Sequence, residues 1–314
     1  MKNKILGLAL LLLGACSTSR PPDPLIGQTT YLGEVQSETR LFAEIDQAQI
    51  ILIGETHDNP VHHQFQRQVL KRLGPKKPVL TIELFAQEQT SMLMLYATGK
   101  GDWSNDLRKG LNWESQDNEL WQAYLGLIEE ARLLKLELAG IDLDRALIRR
   151  LTKLGRQNLT PLEQAQLPPV TSSSDAYKQL MYANFTADHC GWSDPELLEK
   201  LYQVWQIRNE VMAENLARLH RAHPERPIVV ALGAGHIQYG QAVLARLKSK
   251  LPGVKMFALA MQEVDREARP LAEYYEPKVD FGPPFEWLQF THRTRWEDPC
   301  ETFKSSLSKH KQTP

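Results

Sequence analysis

Cysteine is scarce in this chain: three in 314 residues, one of them at position 16. Two later cysteines, Cys190 and Cys300, are too few for a disulfide scaffold, and the position of Cys300 near the tail argues against a bond between them. Net charge is nearly absent, with 37 Lys and Arg against 38 Asp and Glu. No dense basic block precedes the short tail, so a nucleic-acid binder is not expected. No stretch beyond the N-terminus has the roughly 20 apolar residues that a spanning helix needs. No Ser or Cys occupies a strand-end turn where a nucleophile elbow would place it. HExxH, P-loop and dinucleotide-binding signatures are missing too. Apolar residues nevertheless make up 42% of the chain, enough for a substantial core, which excludes wholesale disorder.

The N-terminus is an address. Lys2 and Lys4 precede the apolar run Ile5–Leu13, and Gly14-Ala15-Cys16 follows, the order of a bacterial signal peptide. Leu13-Gly14-Ala15-Cys16 resembles a lipobox, in which Cys16 is lipidated and becomes the first mature residue. Ser17, rather than Asp, after the cysteine favours the outer membrane by analogy with known lipoproteins. The expectation is a lipid-anchored body in the periplasm, with residues 1–15 as signal and 16–30 as tether.

The body alternates strand and helix. Gln49–Gly54 reads as a buried strand, Asn59-Pro60 as a helix start, and Val61, Phe65, Val69 and Leu73 as one apolar face. A second strand at Pro78–Leu84 completes a crossover unit of a parallel sheet. Further strands are expected at 138–142, 227–233 and 254–260, with helices at 118–136, 195–220 and 237–248. The fold class is therefore α/β, a mainly parallel sheet flanked by helices with a smaller helical domain inserted. The larger part takes residues 31–99, 137–159 and 221–300, the smaller takes 100–136 and 160–220, and 301–314 forms a basic tail. Trp103, Trp113 and Trp121 either line an apolar groove or fill the core of the smaller domain, and the second reading is preferred.

Chemistry concentrates at strand ends. Gly54-Glu55-Thr56-His57-Asp58-Asn59-Pro60-Val61-His62-His63 is the densest polar cluster, at the strand edge where open α/β sheets place ligands. Gly233-Ala234-Gly235-His236 repeats the situation after another strand, and Glu83 ends a third. If these strands are neighbours, Glu55, His57, Glu83 and His236 converge. Such a set can ligate a divalent transition metal, perform acid–base chemistry, or simply hydrogen-bond a loop. Arg208 lies inside the apolar stripe of the 195–220 helix. It is either a snorkelling or salt-bridged arginine or a guanidinium aimed at a carboxylate or phosphate.

Taken together, the Glu55–His63 cluster, Glu83 in Thr-Ile-Glu-Leu, Arg208, Met212-Ala213-Glu214-Asn215 and the Gly233–His236 turn resemble the ChaN family. These are bacterial, iron-regulated lipoproteins linked to haem uptake, within a superfamily that includes Tiki metalloproteases and erythromycin esterases. The motifs span about residues 45 to 290. The resemblance implies haem as cofactor, one tyrosine per haem iron, and two haems facing each other between the subunits of a haem-induced homodimer. Candidates for the iron ligand are Tyr177, Tyr182 and His189 in the helical insertion, with Met181, Phe185 and Trp192 nearby. It also implies a second reading, a metal-dependent hydrolase with His57 and His236 as carried-over positions. Glu55 or Glu83 would then be the base, and Arg208 would steady an oxyanion. A third is a non-catalytic partner of an outer-membrane haem receptor or transporter.

Overall fold

A computed structural model describes residues 23–99, 107–191, 193–277, 281–298 and 300–301. The signal segment, Cys16, Trp103, Trp192 and the tail beyond 301 lie outside the described residues. In chain order, β1 (Thr29–Tyr31) and β2 (Glu34–Gln36) form a hairpin, and α1 (Glu38–Gln47) leads to β3 (Ile50–Glu55), α2 (Pro60–Leu73) and β4 (Val79–Ala86). The helices α3 (Thr90–Ala97), α4 (Leu107–Gly110) and α5 (Asn118–Leu133) precede β5 (Glu137–Asp142). Four helices follow: α6 (Arg145–Leu154), α7 (Pro161–Ala165), α8 (Asp175–Asp188) and the long α9 (Pro195–Ala222). The chain closes with β6 (Ile228–Gly233), α10 (Ala242–Lys250), β7 (Met256–Glu263) and β8 (Trp287–Thr291).

The eight strands form one sheet in the order β2-β1-β8-β7-β3-β6-β4-β5. Every pairing from β8 to β5 is parallel, and the antiparallel β1–β2 hairpin is added at one edge. The expected α/β class with a mainly parallel sheet is what the chain adopts. All six residues of β3 are buried, as a central strand covered on both faces requires. Alternation divides its side chains: Ile51 and Ile53 face a cluster with α1, α2, α3 and α5, while Ile50 and Leu52 face α9 and α10. Trp113 and Trp121 are buried in the first cluster beside Phe85 and Tyr124. They fill a core, but it is the core on the sheet and not that of a smaller helical domain.

Asn59 caps α2, its side chain accepting the Val61 N–H at 2.9 Å, with Pro60 at the first helical position. Helix α9 is two-sided along its length. Met212, Ala213, Leu216 and Ala217 pack on the sheet, whereas Val204, Ile207 and Val211 pack with Leu147 and Leu151 of α6. Its middle therefore crosses the C-terminal ends of β4 and β5, which is what delivers Arg208 there.

Three readings of the sequence are corrected. The helix expected from Ile237 begins at Ala242, because Tyr239 (φ 57°) and Gly240 (φ 64°) are left-handed and break the helical path. Strands β1, β2 and β8 were not foreseen; they are three to five residues long and carry little periodic signal. Cys190 and Cys300 are joined, with 5.4 Å between Cα atoms. Beyond β8 the chain runs along the C-terminal edge of the sheet, where Arg295 meets Asp58 at 3.2 Å, and this brings Cys300 to the end of α8. Mapping of free thiols after alkylation should find neither cysteine reactive until a reductant is added.

The β4–β5 pairing shifts register between Ile82 and Ala86, and the shift lays the Ala86 carbonyl over Gly140, where a Cβ would stand 2.1 Å from its oxygen. Gly140→Ala should cost about 3 kcal/mol, the upper range for overpacking, read as a fall in the urea midpoint.

Candidate functional site

Three parallel strands each carry a carboxylate toward one edge: Glu55 closes β3 and Asp142 closes β5, whereas Glu83, expected to end its strand, lies inside β4, which runs on to Ala86. Because β6 lies between β3 and β4, the turn after it carries His236 between the first two. The conditional expectation of convergence is therefore met, in two linked halves.

In the first half, Glu55 is fully buried and its carboxylate is saturated. It accepts from the Gln66 amide of α2, from the Tyr124 hydroxyl of α5 and from His57 Nδ1 at 2.9 Å. Burial pushes the Glu55 carboxyl up, but the His57 hydrogen bond and the neighbouring His63 and His57 bring it below the usual range. Burial likewise pushes His57 down, and Glu55 and Glu83 more than reverse this, leaving it above the ordinary imidazole value. The His57 side chain is 34% exposed, so it is the accessible face of the pair. Its Nε2 stands 4.0 Å from Glu83, beyond hydrogen-bond range.

In the second half, Glu83 is held by Arg208 Nη2 at 2.8 Å, His236 Nε2 at 3.0 Å and the Gly233 backbone N–H at 2.6 Å. Burial raises its carboxyl, yet His236, His57 and Arg208 drive it well below its usual value. Arg208 Nε donates to Asp142 at 2.7 Å, so one guanidinium ties two strand ends together. Asp142 is pushed up, burial outweighing the pull of Arg208. His236 is aimed by Asn209, which accepts from Nδ1 at 2.7 Å, and its ring stacks on Trp205 with centroids 4.2 Å apart. Gly233 keeps this junction close: a Cβ there would meet His57 Nε2 at 3.2 Å and Glu83 at 3.4 Å.

Not every candidate joins the centre. His62 and His63 turn inward, and His62 accepts the Thr56 N–H at 2.9 Å while burial pushes its pKa down to about 4. Tyr177 is buried against Trp205, whose indole N–H donates to its hydroxyl at 3.1 Å, and burial pushes its pKa up to about 12. Tyr182 is half-buried farther along α8 and donates to Glu199. His189 donates from Nδ1 to the Phe185 carbonyl at the end of α8, at 2.8 Å. The expected metal set is not supported. Among the described residues no group of three or more His, Cys, Asp or Glu is arranged to hold an ion. The oxygens of Glu55 and Glu83 are already engaged by Gln66, Tyr124, Arg208 and Gly233.

Asp142, Tyr124, Gln66, Asn209 and Trp205 were not singled out from sequence. Asp142 carried a readable signal, being the third acid carried by an apolar strand. The others sit within amphipathic helices, where nothing local separates them from ordinary packing.

Removing the guanidinium while keeping bulk, Arg208→Met, should cost about 3–5 kcal/mol by leaving buried carboxylates uncompensated. The deficit should shrink in acid, where those carboxyls protonate, and urea unfolding at pH 7 and pH 4 checks both parts. For the wild type, Glu55 and Glu83 have depressed folded values. Their contribution is therefore present at neutral pH and lost as pH falls below about 4.3 and through those values, Asp142 acting in the opposite sense.

Residues 41–247 match the family described as haem-binding uptake, Tiki superfamily, ChaN. Among solved structures, the chain is similar to the ChaN of Campylobacter jejuni, a structure described as showing cofacial haem binding. Identity is 17%, with 83% of this chain and 95% of that one covered at a TM-score of 0.63. Weaker likenesses include an erythromycin esterase, EreC, in its open conformation (16% identity, 89% and 86% covered, TM-score 0.44). Another is the type III effector HopBA1 (14% identity, 86% and 99% covered, TM-score 0.43). No curated protein sequence matches. The family match takes in both halves of the centre and all of helices α8 and α9, and the chain belongs to the ChaN family of the Tiki superfamily.

Proposed function

We propose that the protein is a haem-binding lipoprotein, anchored in the outer membrane through Cys16, with its body in the periplasm and a role in haem or iron uptake. The observation that carries this reading is the family match over 41–247. Among the described residues no helix is long and apolar enough to cross a membrane, so attachment rests on the lipid at Cys16.

The helical part offers residues that suit haem. A cleft of about 600 Å³ is lined by Arg156, Lys178, Glu199, Tyr202 and Ile207. That volume is within the roughly 300–1,000 Å³ usual for small-molecule sites. Arg156 and Lys178 match the propionates in charge, and Tyr182 borders the cleft through Glu199, which accepts its hydroxyl. A phenolate is a hard anionic ligand suited to ferric iron, which is the chemistry the bound group would need from this chain. Tyr182 is the better candidate on access, since Tyr177 lies sealed under Trp205. Facing haems between two copies would couple loading to dimerisation.

Haemin titrated into the lipidated full chain in detergent should give a saturable spectrum with a phenolate-to-iron charge-transfer band. Tyr182→Phe should abolish the band and Tyr177→Phe should keep it. Light scattering should show the mass doubling with loading. A spectrum unchanged from haemin in detergent alone would overturn the reading.

A second reading is favoured by one observation, the buried Glu55 that fixes Nδ1 of the partly exposed His57 and leaves Nε2 without a hydrogen-bond partner, 4.0 Å from Glu83. This is the arrangement of a carboxylate-supported general base, acting on water without a metal. Because the His57 pKa lies above 6.5 and the neutral imidazole is the base, hydrolysis of a chromogenic ester panel should rise with pH to a plateau reached above that value. His57→Gln should lower the rate about 100-fold or more, and a chelator should leave it unchanged. An activity insensitive to His57 would eliminate this reading.

A further inference from the structure

Strand β5 delivers Asp142 to the centre, and three residues later α6 begins at Arg145. The intervening Asp144 is occupied as the helix cap, accepting the Ala146 N–H at 2.7 Å. Arg145 lays its guanidinium on the Trp113 ring, 4.7 Å from the centroid. Trp113 packs on Tyr124 at 5.7 Å, and the Tyr124 hydroxyl lies 2.9 Å from His57 Nδ1. Two buried rings, Trp113 and Tyr124, thus connect Arg145 to the imidazole of His57.

The partners of this guanidinium differ from those of three other arginines of the fold, each of which meets a carboxylate: Arg208 with Glu83 and Asp142, Arg246 with Glu210, Arg226 with Glu137. Arg145 is half-buried, yet among the described residues it donates no hydrogen bond and forms no ion pair. Nearby Asp142 is already taken by Arg208. Burial, with repulsion from Arg149 one turn along α6 and from Arg208, lowers its pKa against the opposing pull of Asp142 and Tyr124. Five N–H donors are therefore held in place by an aromatic face with no acceptor in front of them. A planar fork of that kind, fixed and partly desolvated, matches the two oxygens of a carboxylate or phosphate.

We propose that Arg145 is the anion-recognition residue of the sheet-edge centre, taking a carboxylate or phosphate of the ligand whose remainder lies against His57. The proposal rests on the reading that this centre binds a ligand and adds the ligand's chemical class. A haem propionate and the anionic group of a small substrate share that chemistry, and the test separates them.

Calorimetric titrations would use the lipidated full chain in detergent with three probes: phenyl phosphate, haemin, and haemin dimethyl ester, which lacks free carboxylates. Arg145→Ala should weaken at least one anionic probe about tenfold or more, the loss expected for a charged hydrogen-bonded pair. Arg145→Lys should restore part of it. Arg40→Ala, which removes another arginine resting on aromatic rings, should change nothing. The Tm of Arg145→Ala should be unchanged or higher, because a charge without an acceptor is removed; a clear fall would mark a purely structural arginine and overturn the proposal. Haemin weakened while its ester is indifferent to Arg145 identifies a propionate. Phenyl phosphate alone responding identifies a small anionic substrate at this centre, and haem binding through Tyr182 is then decided separately by the Tyr182→Phe titration. If no anionic probe binds the wild type more tightly than Arg145→Ala, the proposal is overturned, whether or not haemin still binds through Tyr182.

Discussion

Arg208 joins two buried carboxylates that belong to adjacent strands, and most of the centre is arranged around that contact. Its guanidinium sits at the C-terminal ends of β4 and β5, 2.8 Å from Glu83 and 2.7 Å from Asp142. Without it, two desolvated acids would stand beside each other at the sheet edge, a costly arrangement in a low-dielectric interior. With it, Glu83 is ionised and rigid, and can orient His236 on one side while accepting the Gly233 N–H on the other. The crossing of α9 over the sheet is set by the same contact, since the residues flanking Arg208 pack on α6 and those further on pack on β6 and its neighbours.

The result is a division of labour between groups that look alike in sequence. Glu55 and Glu83 are both buried acids toward one sheet edge, but neither has a free oxygen with which to act on a substrate. The accessible groups are His57, half-buried Trp205 and Arg145. The dipoles and charges of this edge are fixed by the fold itself. Among the described residues, the carboxylates expected in a metal set are engaged by guanidinium, amide and hydroxyl donors.

The helical part presents a different environment. Tyr177, Tyr182 and Lys178 lie on α8, over α9, with small apolar clusters of their own. Trp205 is the physical link between the two regions, stacking on His236 and donating to Tyr177.

Much of this architecture was legible in local patterns. The buried run Ile50–Ile53, the Asn59-Pro60 helix start and the long amphipathic stripe of α9 are encoded within a few residues, because burial and capping act over one or two turns. The chemistry of Glu55, His57, Glu83 and His236 was also visible, since each follows a strand and strand ends in a parallel sheet share one edge. What the sequence alone could not determine was which groups meet. Strand order places β6 between β3 and β4, and only that order joins His236 to Glu83 and sets them beside the local Glu55–His57 pair. The pairing of Cys190 with Cys300, the inward turn of His62 and His63, and the acceptor-free guanidinium of Arg145 were likewise decided by packing. Each depends on residues tens to hundreds of positions apart, and no local rule reports what a folded chain will bring to the other side of a side chain.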